Sequence, residues 1–299
     1  MSVRPVKQII KAQPHLEGAG VKLQRAFGFG NTTEFDPFLL FDDFRNDNPA
    51  DYLAGFPWHP HRGIETITYV LAGNVEHGDS LGNRGTLGAG DVQWMTAGSG
   101  ILHQEMPKGD PQGRMHGFQL WANLPSSLKM TKPRYQDVGS NDIPVVVDDD
   151  GTSVRVICGE FWGKKGPIEG VAADPRYIDV SVPPGQRKRL AVETTNHAFA
   201  YVFAGSGTFR DASDPHGVLT EPTDGTDAIR RERTGNRSLV LFDRGDEVVV
   251  QAGDEGIRFL LVSGKPIEEP VAWYGPIVMN TRQELQEAMA DLQRGTFIK

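Results

Sequence analysis

The sequence predicts an all-β protein made of two similar halves and closed by a C-terminal helix. Three observations lead to this fold class. Short runs of β-branched and aromatic residues end at glycines, and 35 glycines and 20 prolines in 299 residues supply turns without a collagen-like period. Two sequence patterns recur in the same order. Only the last 20 residues have a helical period.

The predicted strands share β-branched or aromatic residues bounded by turn residues. They are residues 64–71, 118–122, 154–158, 177–182, 199–203 and 259–262. A polar, proline-bearing stretch at 126–150 predicts the junction between two domains. We therefore expect an N-terminal metal-binding domain at 1–135 and a C-terminal metal-free domain at 136–299.

Sequence signals mark both ends of the predicted helix. Thr281 and Glu284 have the spacing of a capping box, and Gly295 is suited to end the helix. Leu285 and Met289 fall on one face between these ends.

The internal repeat relates 68–73 to 200–205 and 90–98 to 245–253. Since the landmarks keep their order, both halves are predicted to share one topology. A chance similarity of strand-and-glycine patterns is the alternative.

Composition excludes several classes of protein. The net charge of −8 argues against direct binding to nucleic acid or to anionic lipid. The single cysteine, Cys158, excludes an internal disulfide, and its apolar neighbours predict a buried thiol. The sequence has neither a signal-peptide pattern nor an 18-residue apolar run, so we expect a cytoplasmic protein without a membrane partner.

Two short clusters carry the chemistry. His59 and His61 are two residues apart, as are His103 and Glu105. Side chains two apart on a strand share one face, so two neighbouring strands can offer three imidazoles and one carboxylate to a metal. The alternative is that these side chains are simply polar groups that do not bind a metal. Glu65 is a rival carboxylate ligand.

The repeat restricts this site to the first half. When the two halves are aligned, the four proposed ligands correspond to Ala191, Glu193, Phe259 and Leu261. Three of these four residues cannot form the site, so the second half is predicted to be metal-free. The other five histidines are expected on the surface or in the core, because His77 and His116 lie near turn-forming glycines, and no matching partner exists for His15, His197 and His216.

Five segments match the pattern of a known family: residues 41–44, 59–63, 90–98, 100–105 and 275–281. In these segments the sequence resembles the cupin superfamily and, within it, the pirin family. General cupins usually have proline at the position of Thr96, and this departure from the wider superfamily matches the pirin pattern. The resemblance implies a bicupin of two facing β-sandwich (jelly-roll) barrels. It also implies one metal ion, Fe(II), bound by the N-terminal barrel through His59, His61, His103 and Glu105.

The resemblance implies two roles of different classes. One is a dioxygenase that opens a flavonol such as quercetin with O2. In that reading Glu105 is a catalytic proton acceptor, and Phe56, Trp58 and Met95 form walls for the planar substrate; ordinary core packing of these three residues is the alternative. The other is a non-catalytic, iron-dependent and redox-responsive partner of transcription regulators. General cupin chemistry, such as isomerisation of a small sugar, is a third reading.

The ligand chemistry alone leaves the metal open. Imidazole and carboxylate suit Fe, Mn, Ni, Cu or Zn. Four protein ligands on an octahedral ion leave two positions for substrate and O2, whereas a closed tetrahedral zinc site would be purely structural. A monomer is expected, because two similar halves can cover each other.

Overall fold

A computed structural model describes residues 2–209 and 233–299. The chain forms two compact units whose segments interleave along the sequence. Of the described residues, unit 1 comprises 2–11, 145–155, 177–209 and 233–263, and unit 2 comprises 12–144, 156–176 and 264–299. The chain first passes from unit 2 to unit 1 at 144/145, inside the stretch expected to join the domains. The functional division at 135/136 stays a prediction.

The described residues are mostly β-strands, and all six predicted strands are present, several of them longer than expected. The helices are α1 (Thr32–Phe35) and α2 (Arg282–Arg294), with short 3₁₀ turns at Phe29–Asn31, Pro49–Asp51, Ser126–Leu128 and Ser140–Asp142. The strands are β1 (Val6–Lys11), β2 (Gln13–Glu17), β3 (Val21–Phe27), β4 (Phe38–Asp43), β5 (Phe56–His61), β6 (Ile64–Ala72), β7 (Asn74–Asp79), β8 (Arg84–Leu87), β9 (Val92–Thr96), β10 (Ile101–Lys108), β11 (His116–Asn123), β12 (Arg134–Val138), β13 (Val145–Val147), β14 (Ser153–Cys158), β15 (Glu160–Phe161), β16 (Lys164–Lys165), β17 (Arg176–Val182), β18 (Arg187–Ala191), β19 (His197–Phe209), β20 (Thr234–Gly235), β21 (Ser238–Phe242), β22 (Glu247–Gly264), β23 (Ala272–Tyr274) and β24 (Ile277–Met279).

Unit 2 contains two main sheets. The larger has the strand order β12-β9-β6-β11-β4-β3-β2, and the smaller has the order β5-β10-β7-β8. Strand β10 shows how the sequence drives this arrangement, because its odd-numbered residues from Ile101 to Pro107 are buried while the residues between them are partly exposed. This period of two gives β10 one face toward the interior, and the two polar side chains on that face are His103 and Glu105.

Unit 1 is built on a nine-stranded sheet with the order β1-β21-β19-β22-β17-β14-β13, to which β18 and β20 are added. The N-terminal strand β1 pairs with β21, so the start of the chain belongs to this unit. Aromatic side chains fill part of its core. Phe259 is fully buried and packs edge-to-face on Phe209, with ring centroids 5.4 Å apart.

The predicted C-terminal helix is confirmed as α2. Thr281 Oγ1 accepts a hydrogen bond from the Glu284 amide at 3.2 Å, and the Thr281 amide donates to the Glu284 carboxylate at 2.8 Å. Gly295 ends the helix in the left-handed conformation, with φ of 72°. Among the described residues, no helix is long and apolar enough to cross a membrane.

Candidate metal centre

Strands β5 and β10 place the three proposed histidine ligands together. The two strands are antiparallel, with His59 opposite His103 and His61 opposite Ile101. Gly63 lies between the end of β5 and the start of β6 with φ of 76°, and a Cβ atom there would lie 1.9 Å from the Val278 carbonyl oxygen. Only glycine fits this turn, which directs the chain from β5 into β6.

The three imidazoles converge on one point. One ring nitrogen from each of His59, His61 and His103 lies within 4.8 Å of the others. The Nε2 atoms of His59 and His61 are 3.1 Å apart. Two nitrogens bound at right angles to one ion at about 2.1 Å would be about 3.0 Å apart, so this spacing suits a shared metal.

The hydrogen bonds around the imidazoles also fit a metal. His59 Nδ1 lies 2.8 Å from the Pro57 carbonyl oxygen, which can only accept, so Nδ1 carries the proton and Nε2 keeps a lone pair. His103 is buried, and neither of its ring nitrogens has a hydrogen-bond partner in the part of the chain that the structure describes. A buried imidazole without a partner is costly, and a metal ion would satisfy it.

Burial keeps these imidazoles neutral. The pKa values of His61 and His103 lie well below the ordinary histidine value because of burial and, secondarily, because the imidazoles face one another. Burial also lowers the pKa of His59. A neutral imidazole is the form that binds a metal, and this donor set supports a divalent ion.

Glu105 lies on the same face of β10 but outside the group of converging nitrogens. The β5–β10 register shifts between His103 and Glu105, so Glu105 is opposite Phe56. The Thr68 hydroxyl lies 3.2 Å from Glu105 Oε1, and burial raises the Glu105 pKa to about 7. The structure thus brings the three histidines together and leaves Glu105 beside them; its role as a ligand stays a prediction.

Glu65 does not join the histidines. Its carboxylate accepts a hydrogen bond from the Thr96 hydroxyl at 2.7 Å. Glu65 occupies an odd-numbered position of β6, whereas Thr68, which lines the cavity described below, is on the opposite face of that strand. The parity shared with His59 and His61 is lost because the turn at Gly63 separates the two strands.

The other histidines have separate surroundings. His15 contacts Glu17 and Arg25, and His116 contacts Asp47. His77 and His197 also lie outside the converging group, whereas His216 is outside the described residues.

A cavity of about 740 Å³ opens beside the histidines. His59, His61 and Glu105 form part of its wall. Phe56 and Trp58 also line it, as predicted, whereas Met95 is fully buried in an apolar cluster behind the lining residues Phe29 and Trp121. Sequence reasoning missed several other lining residues, which come from strands or loops far apart in sequence: Arg25, Phe29, Asp42, Gln119, Trp121 and Trp273.

Aromatic rings connect the cavity mouth to the histidines. Trp273 is half-exposed and stacks on Phe29 with a centroid separation of 4.2 Å. Phe29 meets the edge of Trp121, which is perpendicular to His61 at 5.1 Å. One wall of the cavity is therefore apolar and rich in aromatic rings, which suits a planar aromatic ligand.

Arg62, the residue directly after β5, has a structural role. Its guanidinium donates to the carbonyl oxygens of Ser99 and Phe297, each at 2.7 Å, and to Asp291 Oδ2 at 3.0 Å. It also lies 4.1 Å from the centroid of the Phe297 ring. The residue next to His61 thus fixes α2 and the C-terminal segment to the ligand strand.

Strand-borne imidazoles beside a cavity in a β-sandwich unit define a metal-binding protein of the cupin class, and the whole chain has the bicupin fold with a C-terminal helix. Comparison with known proteins is more specific. Residues 20–122 match the pirin family, and residues 177–298 match the pirin C-terminal cupin domain. The chain belongs to the pirin family.

Relatives and a solved structure agree along the full length. The chain is 47% identical to a pirin-like protein of Caulobacter vibrioides, over 99% of this chain and 100% of that protein. It is 40% identical to a pirin-like protein of Solanum lycopersicum, over 97% and 91%. The crystal structure of quercetin 2,3-dioxygenase from Acinetobacter baumannii superposes with a TM-score of 0.85 at 32% identity, covering 100% of both chains.

Proposed function

We propose that this protein is a metal-dependent dioxygenase that cleaves a flavonol such as quercetin with O2. The observation that carries this proposal is the convergence of three imidazoles, His61 and His103 buried and His59 half-buried, beside an aromatic-lined cavity whose wall includes His59 and His61. The superposition on a quercetin 2,3-dioxygenase supports the same reaction class.

His59, His61 and His103 would hold the metal, with Glu105 as the fourth ligand. The bound ion would supply Lewis acidity toward the hydroxyl–ketone pair of the flavonol and a site for O2. The chain's own residues do the rest. Trp121 and Phe29 orient the planar ligand, and the Glu105 carboxylate accepts the proton of the chelating hydroxyl group.

Fe(II) is the proposed metal, although the same donors suit Zn, Mn, Ni or Cu. We also propose that the protein acts as a monomer in the cytoplasm.

The test combines metal analysis with turnover. Protein loaded anaerobically with Fe(II) is expected to hold one equivalent, to consume quercetin on admission of air and to release carbon monoxide. His103→Ala should lose both metal and turnover. His116→Ala is the matched control, because His116 lies on the surface with Asp47 and should retain both.

Each other outcome has a definite meaning. One equivalent of metal without quercetin loss would overturn the oxygenase. Metal retained in His103→Ala would overturn the ligand assignment.

A second role has one specific observation in its favour. Trp58 precedes the ligand His59 directly, and 53% of its surface is exposed. A change at the metal can therefore reach a surface aromatic residue, as an iron-dependent, redox-responsive partner of transcription regulators would require. Metal binding without turnover, combined with a Trp58 environment that changes between Fe(II) and Fe(III), would favour this role.

A further inference from the structure

A row of polar side chains crosses the cavity face of the larger sheet in unit 2. The strand register pairs Arg25 with Asp42, Asp42 with Gln119, and Gln119 with Thr68. Directly opposed residues on neighbouring strands point to the same face, and all four line the cavity. We call these four residues the polar row.

One end of the polar row presents hydrogen-bond acceptors. Arg25 donates Nε and Nη2 to the two Asp42 oxygens at 2.8 and 2.7 Å, and Nη2 also donates to Glu17 at 2.9 Å. Each Asp42 oxygen retains a further lone pair for a ligand. A buried ion pair adds little stability over apolar residues of similar size, so its position on a cavity wall points to a binding role.

The middle of the polar row presents a donor. The Thr68 hydroxyl lies 2.7 Å from Gln119 Oε1, which leaves Gln119 Nε2 without a protein partner among the described residues. The same hydroxyl lies 3.2 Å from Glu105 Oε1, so the polar row reaches the proposed metal site. Asp42 can accept a hydrogen bond and Gln119 can donate one. A phenolic hydroxyl group can donate to Asp42 or accept from Gln119.

We propose that Asp42 and Gln119 are specificity-determining residues that bind ring hydroxyl groups of the planar ligand. This inference rests on the flavonol binding proposed above and adds which flavonols are preferred. Polyhydroxylated flavonols satisfy the polar row, whereas an unsubstituted flavonol covers Gln119 Nε2 and the remaining Asp42 lone pairs without giving them a partner, which costs affinity. A carboxylated ligand is disfavoured because Asp42 and Glu17 already place two carboxylates there.

The test compares quercetin with 3-hydroxyflavone, which keeps the chelating hydroxyl–ketone pair and lacks the other ring hydroxyl groups. Binding to the metal-loaded protein is measured without O2 by tryptophan fluorescence quenching, so turnover plays no part. We expect the protein to prefer quercetin by about tenfold or more. Gln119→Leu and Asp42→Asn should each reduce this preference to about twofold.

Asp43→Asn is the matched control. Asp43 is the next residue on β4, is fully buried, and pairs with Arg45 rather than lining the cavity. It should retain the preference, even if it lowers stability as much as Asp42→Asn does. Gln119→Leu removes no charge, so it tests the proposal if Asp42→Asn does not fold.

The outcomes separate the two proposals. An equal affinity of the unmodified protein for both compounds, or an unchanged preference in Gln119→Leu, would overturn the role of the polar row and leave flavonol binding standing. Binding of neither compound would overturn both.

Discussion

At the scale of single residues, burial changes the pKa and therefore the reactivity of ionisable side chains. Cys158 is 2% exposed, and burial raises the pKa of its thiol to about 12. At pH 8 only about one thiol in ten thousand is then ionised. We expect no labelling of the folded protein by a disulfide reagent at pH 8 and one labelled thiol after denaturation. Rapid labelling of the native protein would contradict this assignment.

Burial of Lys129 should make the free energy of unfolding depend on pH. Its ammonium donates to the Gly63 carbonyl oxygen at 2.8 Å and to Asn123 Oδ1 at 2.5 Å, and burial lowers its pKa to about 7. Between about pH 7 and the ordinary value of 10.5, the unfolded chain binds more protons than the folded one. The free energy of unfolding should therefore rise with pH across this window.

Urea unfolding of the unmodified protein and of Lys129→Met, at steps from pH 7 to 10, measures this effect. The rise should be smaller in Lys129→Met. Lys165→Met provides the control, since Lys165 is exposed and pairs with Glu169 on the surface. An identical pH slope in all three proteins would show that Lys129 does not titrate there.

At the scale of elements, one buried arginine, Arg62, links α2 and the C-terminal segment to the end of β5. Arg62→Met removes two hydrogen bonds to buried carbonyl oxygens, so we expect a loss of about 3 kcal/mol of stability. Hydrogen exchange should also become faster in α2. Arg294→Met is the control, because Arg294 is exposed and reaches the same Asp291 from the solvent side. Equal exchange in both variants would argue against the anchoring role.

Asp291 adds a pH test of the same attachment. Lys299 and Arg62 hold the pKa of its carboxyl group below the ordinary value of 3.8. This contribution is present above that value and is lost as the pH falls through the lower folded-state pKa. The stability difference between the unmodified protein and Asp291→Asn should be constant above about pH 5 and shrink in more acidic solution. A constant difference down to pH 2 would count against it.

Local sequence predicted the elements well and their pairing less well. The capping box at Thr281 and the alternation at His103 are local signals, so α2 and the interior face of β10 could be predicted. The pairing of Asp42 with Gln119 spans 77 positions and depends on the register of β4 against β11, which local patterns do not set. Glu65 shares the parity of His59 and His61 in the sequence, but parity predicts a common face only within one strand, and Glu65 lies on the next strand.

At the scale of the whole molecule, the repeated topology does not imply repeated chemistry. Of the described residues, only His59, His61 and His103 form a cluster able to hold a metal. In unit 1, Phe259 occupies the position that the repeat relates to His103, and it is fully buried. The metal-free character of the second half stays a prediction, and it can be tested by stoichiometry.

Metal binding should saturate at one equivalent per chain, and Phe259→His should not raise this number. A single imidazole in an apolar core lacks the second and third ligands that a metal needs, so the substitution lowers stability without creating a site. Elemental analysis after anaerobic loading measures the stoichiometry. His61→Ala, which removes one ligand of the proposed site, should bring the metal content close to zero.

Thermal unfolding provides an independent reading of the same stoichiometry. A metal that binds only the folded state adds about 2.7 kcal/mol when its free concentration is 100 times its dissociation constant. Chelation should therefore lower the unfolding temperature of the unmodified protein and of Phe259→His, but not that of His61→Ala. Two equivalents of metal in the unmodified protein, or a chelator effect that persists in His61→Ala, would place a metal outside the histidine cluster.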